Sequence, residues 1–264
     1  MNIDKKYYQE INENLTNTIQ DTNISAPNKK VGKVRDAYFL NDKVVMISTD
    51  RQSAFDRVLA AIPYKGAVLN SVSAWWFKKT EHLFPNHLIS TPDPNVSIVE
   101  KCTVFPVEFV VRGYITGTTD TSLWTVYNNG DREYCGNSLP EGLKKNDKLD
   151  KPMLTPTTKD KVHDRPVSRE EIIDLGLMSA EDYDLAAKMS LDLFAFGQET
   201  AKKNGLILVD TKYEIGTDSK GKIKFVDEIH TPDSSRFWIS SSYKDRINSG
   251  QEPENIDKEF LRLW

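Results

Sequence analysis

Residues 179–214 constrain the fold more than any other stretch of the chain. Tyr183, Ala186, Ala187, Ser190, Leu193, Phe194, Gly197 and Ala201 recur at helical spacing. Ser179 with Asp182 marks the helix start, Lys202 and Lys203 suit its C-terminal end, and Asn204-Gly205 stops it. Residues 206–209 are then continuously apolar, which predicts that the helix feeds a buried strand. That strand runs directly into Asp210-Thr211-Lys212-Tyr213-Glu214. Because side chains alternate faces, Asp210, Lys212 and Glu214 share one side of it, and Thr211, Tyr213 and Ile215 the other. Three ionisable groups at the end of a buried strand are costly unless they pair or bind something charged, so this segment is the candidate site.

The following residues close a hairpin, with a turn over 217–221 and an antiparallel return over 222–228. A two- or four-residue loop puts Asp227 opposite Lys212 on the charged face; a three-residue loop sends it away. In the first case Glu214 and Asp227 can clamp a hard divalent cation, leaving coordination positions for nucleotide phosphates and water, with Lys212 facing the same ligand. In the other reading this is a surface hairpin with ordinary salt bridges. Downstream, Pro232-Asp233-Ser234-Ser235-Arg236 is predicted as a loop whose hydroxyls and guanidinium suit an oxyanion.

The 264 residues suffice for one large domain or two packed smaller ones. Thirty-five Lys and Arg against 39 Asp and Glu leave a charge of -4, which argues against generic attraction to nucleic acid. Apolar runs fall far short of the roughly 20 residues that span a bilayer, so no membrane partner is expected. Cys102 and Cys135 form no disulfide framework and support no zinc site; Cys102 reads as a small core residue. The polar N-terminus carries no cleavable signal, and the expected location is cytoplasmic. His82, His87, His163 and His230 are scattered and form no Ser-His-acid set.

Elsewhere the pattern predicts a helix over 8–19, a polar connector over 21–30, and strands over 34–40 and 43–48 joined across Asn41-Asp42, with Gly32 and Lys33 where the first strand begins. Residues 50–56 read as turn-like. A strand over 58–62 stops at Pro63 and a Lys65-Gly66 turn, and Asn70 caps a helix reaching about His82. Residues 91–95, with two prolines, read as a loop. Strands over 98–103 and 107–115 are separated by Pro106, a place for the chain to pass between lobes. Residues 118–166 lack periodicity and read as a long, shaped functional loop, and Ser168 with Glu171 forms a capping box for a helix to Asp174 with Gly176 as its stop.

Six stretches in this order carry a resemblance: Gly32-Lys33-Val34-Arg35-Asp36, Ser48-Thr49-Asp50-Arg51-Gln52-Ser53-Ala54-Phe55-Asp56, Val107-Glu108-Phe109-Val110-Val111-Arg112-Gly113-Tyr114, Leu154-Thr155-Pro156-Thr157-Thr158-Lys159, Val209-Asp210-Thr211-Lys212-Tyr213-Glu214, and Val226-Asp227-Glu228 continuing to Arg236. Over nearly its whole length the chain resembles the SAICAR synthetase (phosphoribosylaminoimidazole-succinocarboxamide synthase) family. The resemblance implies an α+β, two-lobed fold with a β-rich N-terminal lobe like the protein-kinase small lobe. That lobe covers residues 1–104 and binds nucleotide, while a larger α+β lobe over 105–264 binds substrate and magnesium, with ATP between them. It implies a cytoplasmic ligase of purine biosynthesis that uses ATP, Mg2+, L-aspartate and carboxylated aminoimidazole ribonucleotide (CAIR) to make SAICAR, ADP and phosphate through an acyl phosphate.

By the same resemblance, Gly32 and Lys33 cover the nucleotide phosphates, with Val34, Lys101, Val104 and Glu108 also on the nucleotide side. Glu214 and Asp227 are the magnesium carboxylates. Arg112, Thr118 and Arg236 contact the CAIR phosphate, Asp210 and Lys212 its polar head, and Ser53 and Asp56 position substrate. Lys33 and Lys212 are placed in catalysis as charge-offsetting cations; Asp210 is either the acceptor of the aspartate amine's proton or an orienting group. Thr118 stands where many relatives carry Ser, which keeps the hydroxyl, and Ile215 replaces a frequent Phe. A small-molecule kinase and a non-catalytic nucleotide-binding module are the competing classes. A homodimer is the default assembly.

Overall fold

The computed structural model describes residues 5–54, 57–159 and 164–258. The chain separates into two compact units, Met1–Lys79 with His87–Lys101, and Thr80–Asn86 with Cys102–Trp264.

The first unit contains α1 (Lys5–Glu13), β1 (Lys29–Val31), β2 (Arg35–Phe39), β3 (Lys43–Ser48), β4 (Arg51–Ala54), β5 (Arg57–Ala61), α2 (Lys65–Thr80), β6 (Leu88–Asp93) and β7 (Val96–Glu100). Its main sheet runs β1-β2-β3-β7-β6. The predicted β2–β3 hairpin is present, with Phe39 opposite Val44. The N-terminal helix lies earlier than expected and stops at Glu13. Asn14 turns its side chain back to the Glu10 carbonyl, and the Asn and Thr residues that follow compete with helical hydrogen bonding. Within the turn-like stretch 50–56, Arg51–Ala54 form β4, which pairs with β5.

Lys65-Gly66, read as a turn, opens α2 instead. The carboxylate of Asp50 accepts the Gly66 N–H at 2.9 Å and the Ile19 N–H at 2.8 Å, so the cap comes from far away in the chain. Gly66 is required there because a Cβ would sit 2.2 Å from the Ser48 carbonyl oxygen. Asn70 therefore lies inside the helix, donating to the Pro94 carbonyl and accepting from Ser97 Oγ. Of residues 91–95, read as loop, 94–95 are the turn to β7 but 91–93 belong to β6, where Pro92 sits in an edge strand that tolerates a missing N–H.

The second unit adds β8 (Thr103–Tyr114), α3 (Leu123–Asn128), β9 (Glu133–Tyr134), β10 (Asn137–Ser138), β11 (Lys148–Leu154), β12 (Thr157–Thr158), α4 (Arg169–Asp174), α5 (Ala180–Lys203), β13 (Leu206–Thr217), β14 (Ile223–Val226), β15 (Ser235–Ile239) and α6 (Ser240–Asn248). Its six-stranded sheet runs β11-β8-β13-β14, with β12 also on β8 and β15 also on β13. Pro106 does not end a strand. It lies in β8 where the register with β13 shifts between Glu108↔Glu214 and Val104↔Gly216, so the irregularity absorbs its missing donor.

The described residues within 118–166 are structured rather than one long loop. Ile115, Leu123, Tyr127, Tyr134, Leu139 and Leu149 make a small core of their own, built from elements too short to show a period. The capping box of Ser168 and Glu171 is formed in α4, and Ser179 accepts the Asp182 N–H at the start of α5. Leu193 and Phe194 of α5 are fully buried, each contributing about 1.5–3 kcal/mol. Gly197 permits a close approach: a Cβ there would lie 2.5 Å from Cε1 of His230 and 2.8 Å from Cδ2 of Leu208. His230 in turn meets the Tyr213 hydroxyl at 2.5 Å, which ties the segment after β14 to the dry face of β13.

Candidate functional site

The charged face of β13 is assembled by cross-strand register. Asp210 lies opposite Arg112 of β8 on one side and Arg236 of β15 on the other. Asp210 Oδ2 accepts from Arg236 Nη1 at 2.5 Å and lies 3.9 Å from Arg112 Nη1. Arg112 also donates from Nε to Thr155 Oγ1 at 2.8 Å. Burial pushes the Arg112 pKa down, Asp210 works in the opposite sense, and the neighbouring Arg236 adds repulsion. Two nearly buried guanidiniums thus share one carboxylate, an arrangement that attracts a further anion.

Further along the strand Glu214 lies directly opposite Glu108. Like charges in that position destabilise a sheet unless cations intervene. Lys212 Nζ lies 2.6 Å from Glu108 Oε1 and 3.7 Å from Glu214 Oε1, and Lys159 Nζ reaches Glu214 Oε2 at 2.5 Å. Burial and then the charge of Asp227 raise the Glu214 pKa, against the pull of Lys212 and Lys159. Burial lowers the Lys212 pKa, but Glu108, Glu214 and Asp227 outweigh it and hold it above the ordinary lysine value.

Asp227 arrives by a different route from the one its spacing suggests. Thr217 pairs with Ile223, leaving residues 218–222 as an odd-numbered loop, so the even-loop register does not apply. Asp218 gathers that loop by accepting the N–H groups of Lys220 and Lys222 at 2.9 Å each. Asp227 then lies past the end of β14 in the left-handed region, φ 64°, and this turn brings its charge to bear on both Glu214 and Lys212.

Glu108, Arg112, Asp210, Lys212, Ser235 and Arg236 line one cavity of about 340 Å3. Ser235 and Arg236 were expected in a loop; they open β15, and the Ser235 hydroxyl meets that of Thr211 at 2.7 Å. The turn before them is held by Thr231 Oγ1, which accepts the N–H groups of Asp233 and Ser234. Among the described residues the wall of this cavity does not include Glu214, Asp227 or Thr118. Thr118 is exposed and borders a neighbouring cleft together with Arg236.

Within the second unit the structure therefore brings together Glu108, Arg112, Asp210, Lys212, Glu214, Asp227 and Arg236, while Val104 lies exposed on β8 opposite Gly216. Gly32, Lys33, Val34, Ser53 and Lys101 belong to the first unit. Gly32 and Lys33 form an exposed turn between β1 and β2, Lys101 is exposed, and Ser53 is buried in β4. Asp56 and His163 lie outside the described residues. Cys102 is half-buried and not a core residue. Lys159 and Thr155 also belong to the site, and the signal that marks them in the sequence is the Thr155-Pro156-Thr157-Thr158-Lys159 motif. Among the described residues no group of three or more His, Cys, Asp or Glu is placed to hold a metal by itself.

A strand that alternates carboxylate, lysine and carboxylate beside two nearly buried arginines is a binding surface suited to anionic small molecules. Residues 28–264 match the family model described as SAICAR synthetase. A phosphoribosylaminoimidazole-succinocarboxamide synthase of Legionella pneumophila (strain Lens) is 59% identical over 246 residues, 93% of this chain and 79% of that one. Among solved structures, the SAICAR synthase of Saccharomyces cerevisiae complexed with SAICAR superposes with a TM-score of 0.79 at 33% identity, covering 93% of this chain and 86% of that one. A type-2 SAICAR synthetase in complex with ADP gives 0.73 at 26% identity, covering 89% and 90%. The chain belongs to the SAICAR synthetase family.

Proposed function

We propose that the chain joins the amine of L-aspartate to the carboxylate of CAIR at the expense of ATP, a step of purine biosynthesis that yields SAICAR, ADP and phosphate. The observation that carries this reading is the Arg112–Asp210–Arg236 triad set beside the Lys212–Glu108 pair in one cavity. A ligand with a phosphate at one end and a carboxylate at the other meets the guanidiniums of Arg112 and Arg236 on either side of Asp210 and the ammonium of Lys212 two residues further along β13. Charge-assisted hydrogen bonds of this kind contribute about 1.5–3 kcal/mol each.

In the proposed reaction the γ-phosphoryl group of ATP passes to an oxygen of the CAIR carboxylate, and ADP leaves. The aspartate nitrogen then attacks the activated carbonyl carbon, the carbon–oxygen bond to phosphate breaks, and the amine proton passes to a base or water. Arg112 and Arg236 hold the ribonucleotide phosphate, Asp210 orients those two guanidiniums, and Lys212 offsets charge at the reacting carboxylate. Positioning and electrostatic stabilisation supply most of the acceleration in such transfers.

Glu214 and Asp227 fit a magnesium ion. Burial and then the charge of Asp227 raise the Glu214 pKa, and a hard cation bound by one or two carboxylates fills its remaining positions with phosphate and water. Such an ion would neutralise phosphate charge during the transfer. Residues 1–104 are assigned to nucleotide binding, with Gly32, Lys33 and Val34 on the phosphates and Lys101 and Val104 alongside, and residues 105–264 to substrate and metal, with Glu108 on the nucleotide side. The activity is assigned to the cytoplasm.

The test is a reconstituted assay with ATP, Mg2+, CAIR and L-aspartate. Phosphate release requires both CAIR and aspartate, and one SAICAR forms per ATP consumed. Aspartate-independent accumulation of a stable phosphorylated product would make the chain a small-molecule kinase. Nucleotide binding without turnover would make it a binding module.

A further inference from the structure

In the first unit, Arg51 stands outside the machinery described so far, yet nearly every donor of its guanidinium is committed. Nη2 donates to the Gly32 carbonyl at 3.0 Å and to Asp36 Oδ1 at 2.7 Å, Nε to the Lys33 carbonyl at 3.2 Å, and Nη1 to the Gln20 carbonyl at 2.6 Å. Asp36 is wholly buried, and its second oxygen accepts the Thr22 hydroxyl at 2.7 Å and faces Lys29 Nζ at 3.1 Å. A side chain fixed this thoroughly is a rigid template for whatever rests on it.

What rests on it is the turn between β1 and β2. A trans peptide plane points its C=O and the following N–H in opposite directions. With the carbonyls of Gly32 and Lys33 drawn toward Arg51, the N–H groups of Lys33 and Val34 face away from the guanidinium. Gly32 closes the base of the turn by donating to the Arg35 carbonyl at 2.7 Å, and a Cβ there would sit 2.8 Å from that same oxygen. Successive amides turned to one side, next to an exposed lysine, form an anion cradle.

We propose that Arg51 is the positioning residue of this cradle: it holds the two carbonyls so that the amides of Lys33 and Val34 meet the polyphosphate of a nucleoside di- or triphosphate. The proposal rests on the assignment of the Gly32-Lys33 turn to nucleotide phosphates. Arg51 itself touches no ligand. Lysine at this position keeps a charge beside Asp36 but cannot span both carbonyls and the carboxylate at once.

The experiment titrates ADP and adenosine by calorimetry into the full chain and into Arg51→Lys, Lys33→Ala and Val34→Pro, with thermal unfolding recorded for each. Arg51→Lys weakens ADP by about tenfold and leaves adenosine unchanged, because only contacts to phosphate are lost. Val34→Pro, which removes one cradle amide without touching Arg51, gives the same selective loss and keeps the test available should the Arg51 variant not fold. Equal weakening of ADP and adenosine in Arg51→Lys, or an unchanged ADP affinity in Arg51→Lys or Val34→Pro while Lys33→Ala weakens ADP, overturns the positioning role. If Lys33→Ala also leaves ADP binding intact, the phosphate assignment of the turn falls instead.

Discussion

Asp210→Asn is the most informative single change because it separates the two things the carboxylate does. Its Oδ2 lies 2.5 Å from Arg236 and 3.9 Å from Arg112, and the three side chains are only 9%, 15% and 10% exposed, so solvent screens little of the interaction. Breaking a buried ion pair by removing one partner costs roughly 3–5 kcal/mol. Asparagine keeps a carbonyl acceptor for Arg236, which returns about 1 kcal/mol, so the expected loss is about 2–4 kcal/mol. For a protein of this size, each kcal/mol moves the unfolding midpoint by about 2–4 °C, which puts the shift near 10 °C. Inorganic phosphate should reverse part of it, since an anion that binds only the folded state stabilises by about 2.7 kcal/mol at 100 times its Kd. The variant, with two guanidiniums and no carboxylate, should gain more from phosphate than the parent does. The assay is thermal unfolding of both proteins across a phosphate titration at constant ionic strength. An unchanged midpoint in Asp210→Asn, or equal phosphate gains in the two proteins, would refute the view that Asp210 stands in for an anion between the arginines.

Three further outcomes follow from the same geometry. Glu214→Gln should cut turnover by more than the roughly 10- to 100-fold typical of residues one shell away from a metal; near-parental rates across a magnesium titration would remove it from the metal site. Gly197→Ala adds a methyl 2.5 Å from His230, an overpacking cost of about 1–3 kcal/mol against a helix-propensity gain of about 1 kcal/mol. Its urea midpoint should therefore fall, and a rise would mean that His230 moves at no cost. Burial lowers the His230 pKa from 6.5 to about 3. Below pH 6.5 the unfolded chain takes a proton that the folded chain refuses, so this site favours unfolding progressively as pH drops toward 3. His230→Gln should flatten the slope of stability against pH between 5 and 6.5 by up to ~1.4 kcal/mol per unit; an identical slope would contradict the burial argument.

The sequence was most legible where one element repeats its own period. The span of α5, its caps, and the strand face shared by Asp210, Lys212 and Glu214 follow from spacing within about 35 residues, and all are present. What spacing could not supply came from partners distant in the chain. Asp50 caps α2 from 16 residues upstream, which hid the true helix start. Pro106 and Pro92 read as breaks because their tolerance depends on a bulge and a sheet edge, features that exist only once strands have paired. Asp227 shows the limit most sharply. Loop parity was the right variable for a continuous hairpin, but a single left-handed residue at the end of β14 replaces parity with a turn, and no local pattern announces a positive φ at an aspartate.

β13 explains how one strand can afford such a concentration of charge. On its dry face Tyr213 and Ile215 are fully buried; Tyr213 meets Phe225 edge to face and His230 through its hydroxyl. On the other face each acidic or basic group finds its complement on a neighbouring strand: Asp210 on β8 and β15, Lys212 on β8, and Glu214 on Lys159 just beyond β12. The apolar face fixes the strand, and the fixed strand sets the distances among the charges. Those charges are balanced by internal pairs, Asp210 with two arginines and Glu108 with Lys212. An incoming phosphate or carboxylate must therefore compete with a carboxylate already in place. Competition of this kind favours ligands that carry two anionic ends at the right separation over single anions, because only the former engages the arginines and Lys212 together. On the proposed function, selectivity for a phosphorylated carboxylic acid would arise from the same pairings that offset the charges of the sheet.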